Sequence, residues 1–197
     1  MKDVVIRVVN AQGVSERAPW DEIEKAIAKP SIFGDVDAWL VCECAWADLD
    51  AIARRHGLHA LQYGTRGSAK AGVGILSRDQ IGERTYKVGS PAAGGVRLRP
   101  LVTGRTFGFK VTAAHAPPPR NPVARATYLA RVGATGGIVG GDFNREPGWM
   151  RSNFGRRYRG DGVLGVLVPR KFKVSGAHVV NVGSDHPAVD VRVRRDI

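Results

Sequence analysis

A layered α/β sandwich is the fold class this sequence predicts. Short β-branched and apolar runs recur along most of the 197 residues, and the few helical stretches between them do not alternate strictly with strands. Strict alternation would mark a doubly wound parallel sheet. Many strands with a few outer helices predict mixed sheets packed in layers, an α/β (α+β) arrangement.

Residues 4–9 form a β-branched run that stops at Asn10, just before Gln12-Gly13, so the asparagine falls at a strand's C-terminal end. Pro19 followed by Trp20, Ile23, Ala26 and Ile27 has helical spacing, with Asp21 and Glu22 near the first turn, and predicts a surface helix. Residues 37–43 are a second short apolar strand, and residues 48–56 a helix closed by Gly57. Strand-like runs follow at 72–76, 96–102, 107–113, 137–140, 162–168, 177–182 and 189–193. Helices interrupt them at 122–132, with Ala126, Leu129 and Ala130 on one face, and briefly after Pro147. There is no internal repeat; the stiffest loop is Ala116-Pro117-Pro118-Pro119-Arg120, directly after a histidine.

Apolar residues at 43% and charged residues at 24% exclude a disordered or fibrous chain, and a single domain over residues 1–197 is expected. Lysine and arginine total 30 against 18 acidic residues, a formal charge of +12 that attracts polyanions. The apolar stretch at residues 4–9 is too short and too β-branched for a secretion signal, and no segment approaches a membrane span. A cytoplasmic protein with no membrane partner and no obligate protein partner is expected. Cys42 and Cys44, at i and i+2 in the second strand, should turn both thiols to one face with Glu43 on the other. Their spacing fits neither a zinc knuckle nor a redox pair, so both are expected to be packing residues.

Four places carry chemistry. In Gly140-Gly141-Asp142-Phe143-Asn144 a carboxylate and a carboxamide two apart can face one cleft, where Asp142 can ligate a hard cation or hold a water and Asn144 can donate to a phosphate oxygen; the string also suits a plain turn. In Ser184-Asp185-His186-Pro187 the histidine can take a proton from water, and its orienting carboxylate must come from elsewhere, with Asp161 the leading candidate; a cap beside a surface histidine is the bland alternative. Glu43 ends an apolar strand, where a carboxylate needs a cation as partner. His115 also stands at a strand end, although a lone histidine there can simply be a satisfied core residue.

Together these residues are more specific than any one of them. The strings Asn10-Ala11-Gln12-Gly13, Cys42-Glu43, residues 72–77, Ala114-His115-Ala116-Pro117, Gly141-Asp142-Phe143-Asn144 and Ser184-Asp185-His186 resemble, in order and over almost the whole chain, the successive motifs of the endonuclease/exonuclease/phosphatase superfamily, with His115 closest to its deoxyribonuclease-like members. The resemblance implies a four-layer α/β sandwich, two mixed, mostly antiparallel sheets face to face with helices outside, and an active site at one rim. It implies a Mg²⁺ site, with Mn²⁺ as a substitute, at Asn10 and Glu43. Asp142 and Asn144 would place water and phosphate, Asp185 would serve metal or water, and His115 would bind or protonate a phosphoryl oxygen. His186 would be the general base, oriented by Asp161. Gln12 stands where some members have an aspartate, and the chain is shorter than many members, which implies a barer cleft.

The substrate expectation rests on Trp149, Arg151, Phe154, Arg156, Arg157, Tyr158 and Arg159, where arginines that pair with phosphates interleave with aromatics that can stack on bases; the resemblance places this segment beside the catalytic rim. Arg120, with Lys70, Arg97, Arg99, Arg105, Arg170 and Lys171, adds charge of unassigned facing. A metal-dependent nuclease acting on DNA rather than RNA is favoured over a phosphatase or phosphodiesterase for small phosphate esters or lipid head groups, and over an inactive nucleic-acid binder.

Overall fold

The computed structural model describes residues 3–11, 18–45, 47–64, 72–87, 99–117, 122–154, 157–182 and 187–195. The strands are β1 (Val4–Asn10), β2 (Ala38–Cys42), β3 (His59–Tyr63), β4 (Val73–Ser77), β5 (Gly82–Lys87), β6 (Leu101–Thr106), β7 (Phe109–His115), β8 (Ile138–Asp142), β9 (Tyr158–Asp161), β10 (Leu164–Leu167), β11 (Phe172–Val180) and β12 (Ala188–Arg195). The helices are α1 (Ala18–Ala28), α2 (Leu49–His56), α3 (Pro122–Gly133) and α4 (Pro147–Phe154).

Among the described residues the strands form two six-stranded sheets, ordered β11-β12-β1-β2-β4-β3 and β5-β6-β7-β8-β10-β9. Alternation along β1 shows how they stack. Val4, Ile6 and Val8 meet Leu40, Val111, Ala113, Ile138 and Val166 between the sheets, whereas Val5 and Val9 face outward against Ile23 and Ala26 of α1 and Ile52 of α2. On the other side Ala124, Tyr128 and Leu129 of α3 and Met150 of α4 cover Ala114, Val139 and Leu167. The result is the expected four-layer sandwich, and burial on both faces explains why the central strands read as continuous apolar runs. Residue Arg7 interrupts that run: it is fully buried, and its Nε and Nη2 donate to Asp190 Oδ1 and Oδ2 at 2.6 and 2.7 Å while Nη1 donates to the Ala26 and Lys29 carbonyls, tying the end of α1 to the sheet.

Local signals were sufficient for the helices. Asp48 caps α2 by accepting from the Ala51 N–H at 3.0 Å, and Gly57 closes it in the left-handed region at φ 63°. Several expectations change: the strand read at 96–102 is β6, which runs Leu101–Thr106, and residues 107–108, read as strand, make the turn into β7. The strand read at 162–168 begins only at Leu164, because residues 162–163 make the turn from β9. The cysteines do not share a face: β2 ends at Cys42, which packs between the sheets, and Glu43 takes φ 58°, turning the chain so that Cys44 packs in the outer layer under the helices. Among the described residues no helix is long and apolar enough to cross a membrane.

Candidate active site

The strands that carry the candidate residues are the two parallel pairs of the fold. β1 and β2 run parallel at the centre of one sheet with Asn10 opposite Cys42, and β7 and β8 run parallel in the other with His115 opposite Asp142. Each pair is connected through a helix, α1 or α3. Parallel strands end together, so Asn10, Glu43, His115 and Asp142 gather at the C-terminal edges, where ligands of α/β sheets collect.

Two glycines seat β8 at this edge, one against the other sheet and one against β7. A Cβ on Gly140 would stand 2.5 Å from Val8 Cγ2 and 2.7 Å from Leu40 Cδ1 across the sandwich, and one on Gly141 would stand 1.7 Å from the Ala114 carbonyl oxygen. With hydrogens in their place β8 presses onto both neighbours, and Asn10 Nδ2 reaches from one sheet to donate to Asp142 Oδ2 in the other at 3.3 Å. Asp142 Oδ1 accepts the Asn144 N–H at 2.7 Å. Asn144 sits at φ 48°, and one of its amide N–H groups donates to the Ala116 carbonyl at 2.8 Å, which sets the plane of the side chain. Glu43 and Asn144 are two of four non-glycine residues with positive φ among those described, and both lie here, where strain is held by the surrounding contacts.

His115 is 2% exposed. Its backbone N–H donates to the Tyr128 hydroxyl at 2.8 Å, and that hydroxyl donates to the Pro100 carbonyl at 3.1 Å. Burial holds the Tyr128 phenol well above its ordinary value, so it remains a donor and ties β7 to the segment carrying Arg99. Arg99 Nη1 lies 2.7 Å from Nδ1 and 2.9 Å from Nε2 of His115, and Glu43 Oε1 lies 3.5 Å from Nε2. Burial lowers the Arg99 guanidinium from its ordinary value, and the negative charges of Glu43 and Asp142 pull the other way. Burial first, then Asp142 and Glu43, push the Cys42 thiol up, so it sits under the site as a neutral group donating to the Val9 carbonyl at 3.4 Å.

One ligand atom each from Glu43, His115 and Asp142 lie within 4.8 Å of one another. Two carboxylates, with a carboxamide beside them, offer the oxygen donors that a hard divalent cation takes, so the residues present fit Mg²⁺ or a similar ion. Arg99 adds a cation, with the His115 imidazole against it, suited to a phosphate oxygen.

Solved structures share this fold over nearly the whole chain. A protein from Beutenbergia cavernae described as an endonuclease/exonuclease/phosphatase aligns at TM-score 0.67 and 16% identity over 99% of this chain and 72% of its own. This chain has the endonuclease/exonuclease/phosphatase fold. A functionally unknown conserved protein from Enterococcus faecalis aligns at TM-score 0.75 and 14% identity over 98% of this chain and 100% of its own, and D. rerio TDP2, complexed with single strand DNA product, at TM-score 0.71 and 13% identity over 98% and 100%. No protein-family model matches the sequence, and no curated protein does.

Within that fold the structure brings Asn10, Glu43, His115, Asp142 and Asn144 together. The backbone of Asp161 is in register with Leu164, itself opposite Asp142, so its strand ends at the same edge; its side chain lies outside the described residues. Gln12, Lys70, Arg97, Arg120, Arg156, Asp185 and His186 also lie outside them. The described residues of the arginine-aromatic segment divide: Trp149 lies beside Asn144, whereas Tyr158, Arg157 and Arg159 lie elsewhere. Tyr158 is 2% exposed, its ring meets Phe143 edge-on and its hydroxyl donates to the Leu164 carbonyl, so it is a core residue with no face for a base. Arg157 and Arg159 line a cavity of about 660 Å³ with Val168, Arg170 and Phe172. That cavity lies by Val168, past the end of β10 opposite to Asp142, because Leu164 pairs with Asp142 and Leu167 with Val139. Arg151 is exposed on α4. Arg99 and Tyr128 were not singled out as site residues, since neither stands in a motif and both join the site only through packing.

Proposed function

We propose that this chain is a metal-dependent phosphoesterase that hydrolyses phosphodiester bonds in nucleic acid, DNA in preference to RNA. The convergence of Asn10, Glu43, His115 and Asp142 from four strand ends carries the reading. The charge of +12 and the fold shared with TDP2, whose structure holds a DNA product, support it.

Glu43 and Asn10, with Asp185, would hold a Mg²⁺ ion, for which Mn²⁺ could substitute; when bound it would stabilise charge on the phosphoryl and leaving oxygens. Asp142, its two oxygens fixed by Asn10 and Asn144, orients the attacking water. Arg99, with His115 beside it, binds the phosphoryl oxygens. His186, aligned by Asp161, takes the proton of the water for in-line attack. Asn144 presents its second amide N–H to the phosphate.

The test is nicking of supercoiled plasmid and hydrolysis of bis(p-nitrophenyl) phosphate with Mg²⁺, with and without EDTA, beside Glu43→Ala and His186→Ala. Activity lost in all three controls supports the proposal. Phosphate release from small esters without nicking would move the substrate to that class, and no hydrolysis of DNA, RNA or small esters would refute it.

A further inference from the structure

Asn144 faces a second basic layer behind the site. Arg125 of α3 is 6% exposed and its Nη1 donates to the Asn144 carbonyl at 3.3 Å. Its Nε is buried and has no hydrogen-bond partner among the described residues, and the same holds for the Nε of Arg145, the residue that follows Asn144. The Arg145 guanidinium stacks over Trp149, 4.4 Å from the ring centroid. Arg125, Asn144, Arg145, Glu146 and Trp149 line one cavity of about 320 Å³.

Two guanidinium groups at one cavity repel each other; burial first, and then the charge of Arg145, lower Arg125 from its ordinary value. Two buried N–H donors without acceptors are also unfavourable, because each has lost water and gained nothing. A tetrahedral oxyanion in the cavity resolves the repulsion, since its charge cancels it and its oxygens match the terminal N–H groups of the guanidinium forks. The stack on Trp149 holds the plane of Arg145 before any ligand arrives. The left-handed backbone of Asn144 sends its N–H to Asp142 and its carbonyl to Arg125, so this cavity is rigidly registered to the catalytic edge.

We propose that the Arg125–Arg145 cavity is a phosphate subsite that binds a second phosphodiester of a single-stranded polynucleotide, beside the one held for hydrolysis at Glu43 and Asp142. This rests on the phosphodiesterase reading above. A strand engages both positions, while an ester with one phosphate fills only the first, so the subsite selects polymers over small esters.

The experiment measures binding of a labelled single-stranded DNA 12-mer by anisotropy in EDTA, where cleavage cannot intervene, for the intact protein, Arg145→Gln, Arg145→Lys and Arg54→Gln, the last removing an exposed charge on α2. Arg145→Gln should weaken binding about 10-fold and reduce the slope of log Kd against log salt by about 1, Arg145→Lys should restore the slope, and Arg54→Gln should do neither. In Mg²⁺ the ratio of kcat/KM for the oligonucleotide to that for bis(p-nitrophenyl) phosphate should fall by a similar factor in Arg145→Gln. Equal losses on both substrates, equal effects of Arg54→Gln, a salt slope that Arg145→Lys does not restore, or no loss would each overturn the subsite. Selective weakening of binding in a protein that hydrolyses nothing would leave the subsite standing and refute the hydrolytic reading instead.

Discussion

Gly140→Ala should separate the two sheets at the point where the site is assembled. The new methyl carbon would lie 2.5 Å from Val8 Cγ2 and 2.7 Å from Leu40 Cδ1, both on fully buried side chains that have nowhere to swing. Apolar carbons rest at about 3.5–4.0 Å, so β8 must retreat from β1 and β2 by about 1 Å. The Asn10–Asp142 hydrogen bond, at 3.3 Å already near its outer limit, does not survive a shift of that size two residues away. Overpacking of this kind costs about 1–3 kcal/mol, which for a domain of this length lowers Tm by roughly 2–4 °C per kcal/mol. Misplacing Asp142 by about 1 Å should reduce hydrolysis on the order of 10²-fold. Calorimetry and bis(p-nitrophenyl) phosphate turnover read the two effects, and adding Val8→Ala should recover part of the activity through a nonzero coupling between the sites. Wild-type Tm and turnover in Gly140→Ala, or strict additivity with Val8→Ala, would refute the reasoning.

Further outcomes follow from the same geometry. Asp190→Ala leaves the buried Arg7 guanidinium without its counter-charge and should cost about 3–5 kcal/mol in urea unfolding, whereas Arg7→Met combined with Asp190→Leu should cost less, because only the donor to the Ala26 and Lys29 carbonyls is then lost; a single variant no worse than the double would contradict this. Glu43→Gly should raise Tm, because a left-handed non-glycine residue costs about 1–2 kcal/mol, while hydrolysis falls by about 10²-fold or more; a lower Tm would show that the turn at φ 58° carries no strain. Burial pushes the Cys44 thiol from 9.0 up to about 12. The unfolded thiol therefore ionises first as pH rises past 9.0, and Cys44 stability is lost across that window at about 1.4 kcal/mol per pH unit. Urea midpoints on either side of pH 9.0 check the slope, and a flat profile would rule it out.

The parts of the fold that could be read from sequence are those whose surroundings are uniform. β1, β2, β7 and β8 lie inside their sheets, buried on both faces, so burial alone writes them as apolar runs, and the polar residue ending each run marked Asn10, Glu43, His115 and Asp142. The helix α2 was legible from Asp48 and Gly57 because capping is a contact between near neighbours. The strands that went unread, β3, β5 and β9, are all sheet edges, where one side lacks a partner and sequences such as Gly82-Glu83-Arg84-Thr85-Tyr86-Lys87 carry no apolar period.

What only the tertiary structure decided are contacts between residues far apart in the chain. Arg7 meets Asp190 across 183 positions, Arg99 reaches His115 through the Tyr128 hydroxyl that ties their segments, and one left-handed residue sends Cys42 and Cys44 to opposite layers. Tyr158, set among arginines, proved to be a core ring, and the basic cavity beside Asn144 came instead from Arg125 and Arg145. A local pattern records whether a position is buried and which way its backbone turns. Which side chain waits on the other side of the cavity depends on sheet register and packing, and these are settled only when the whole chain folds.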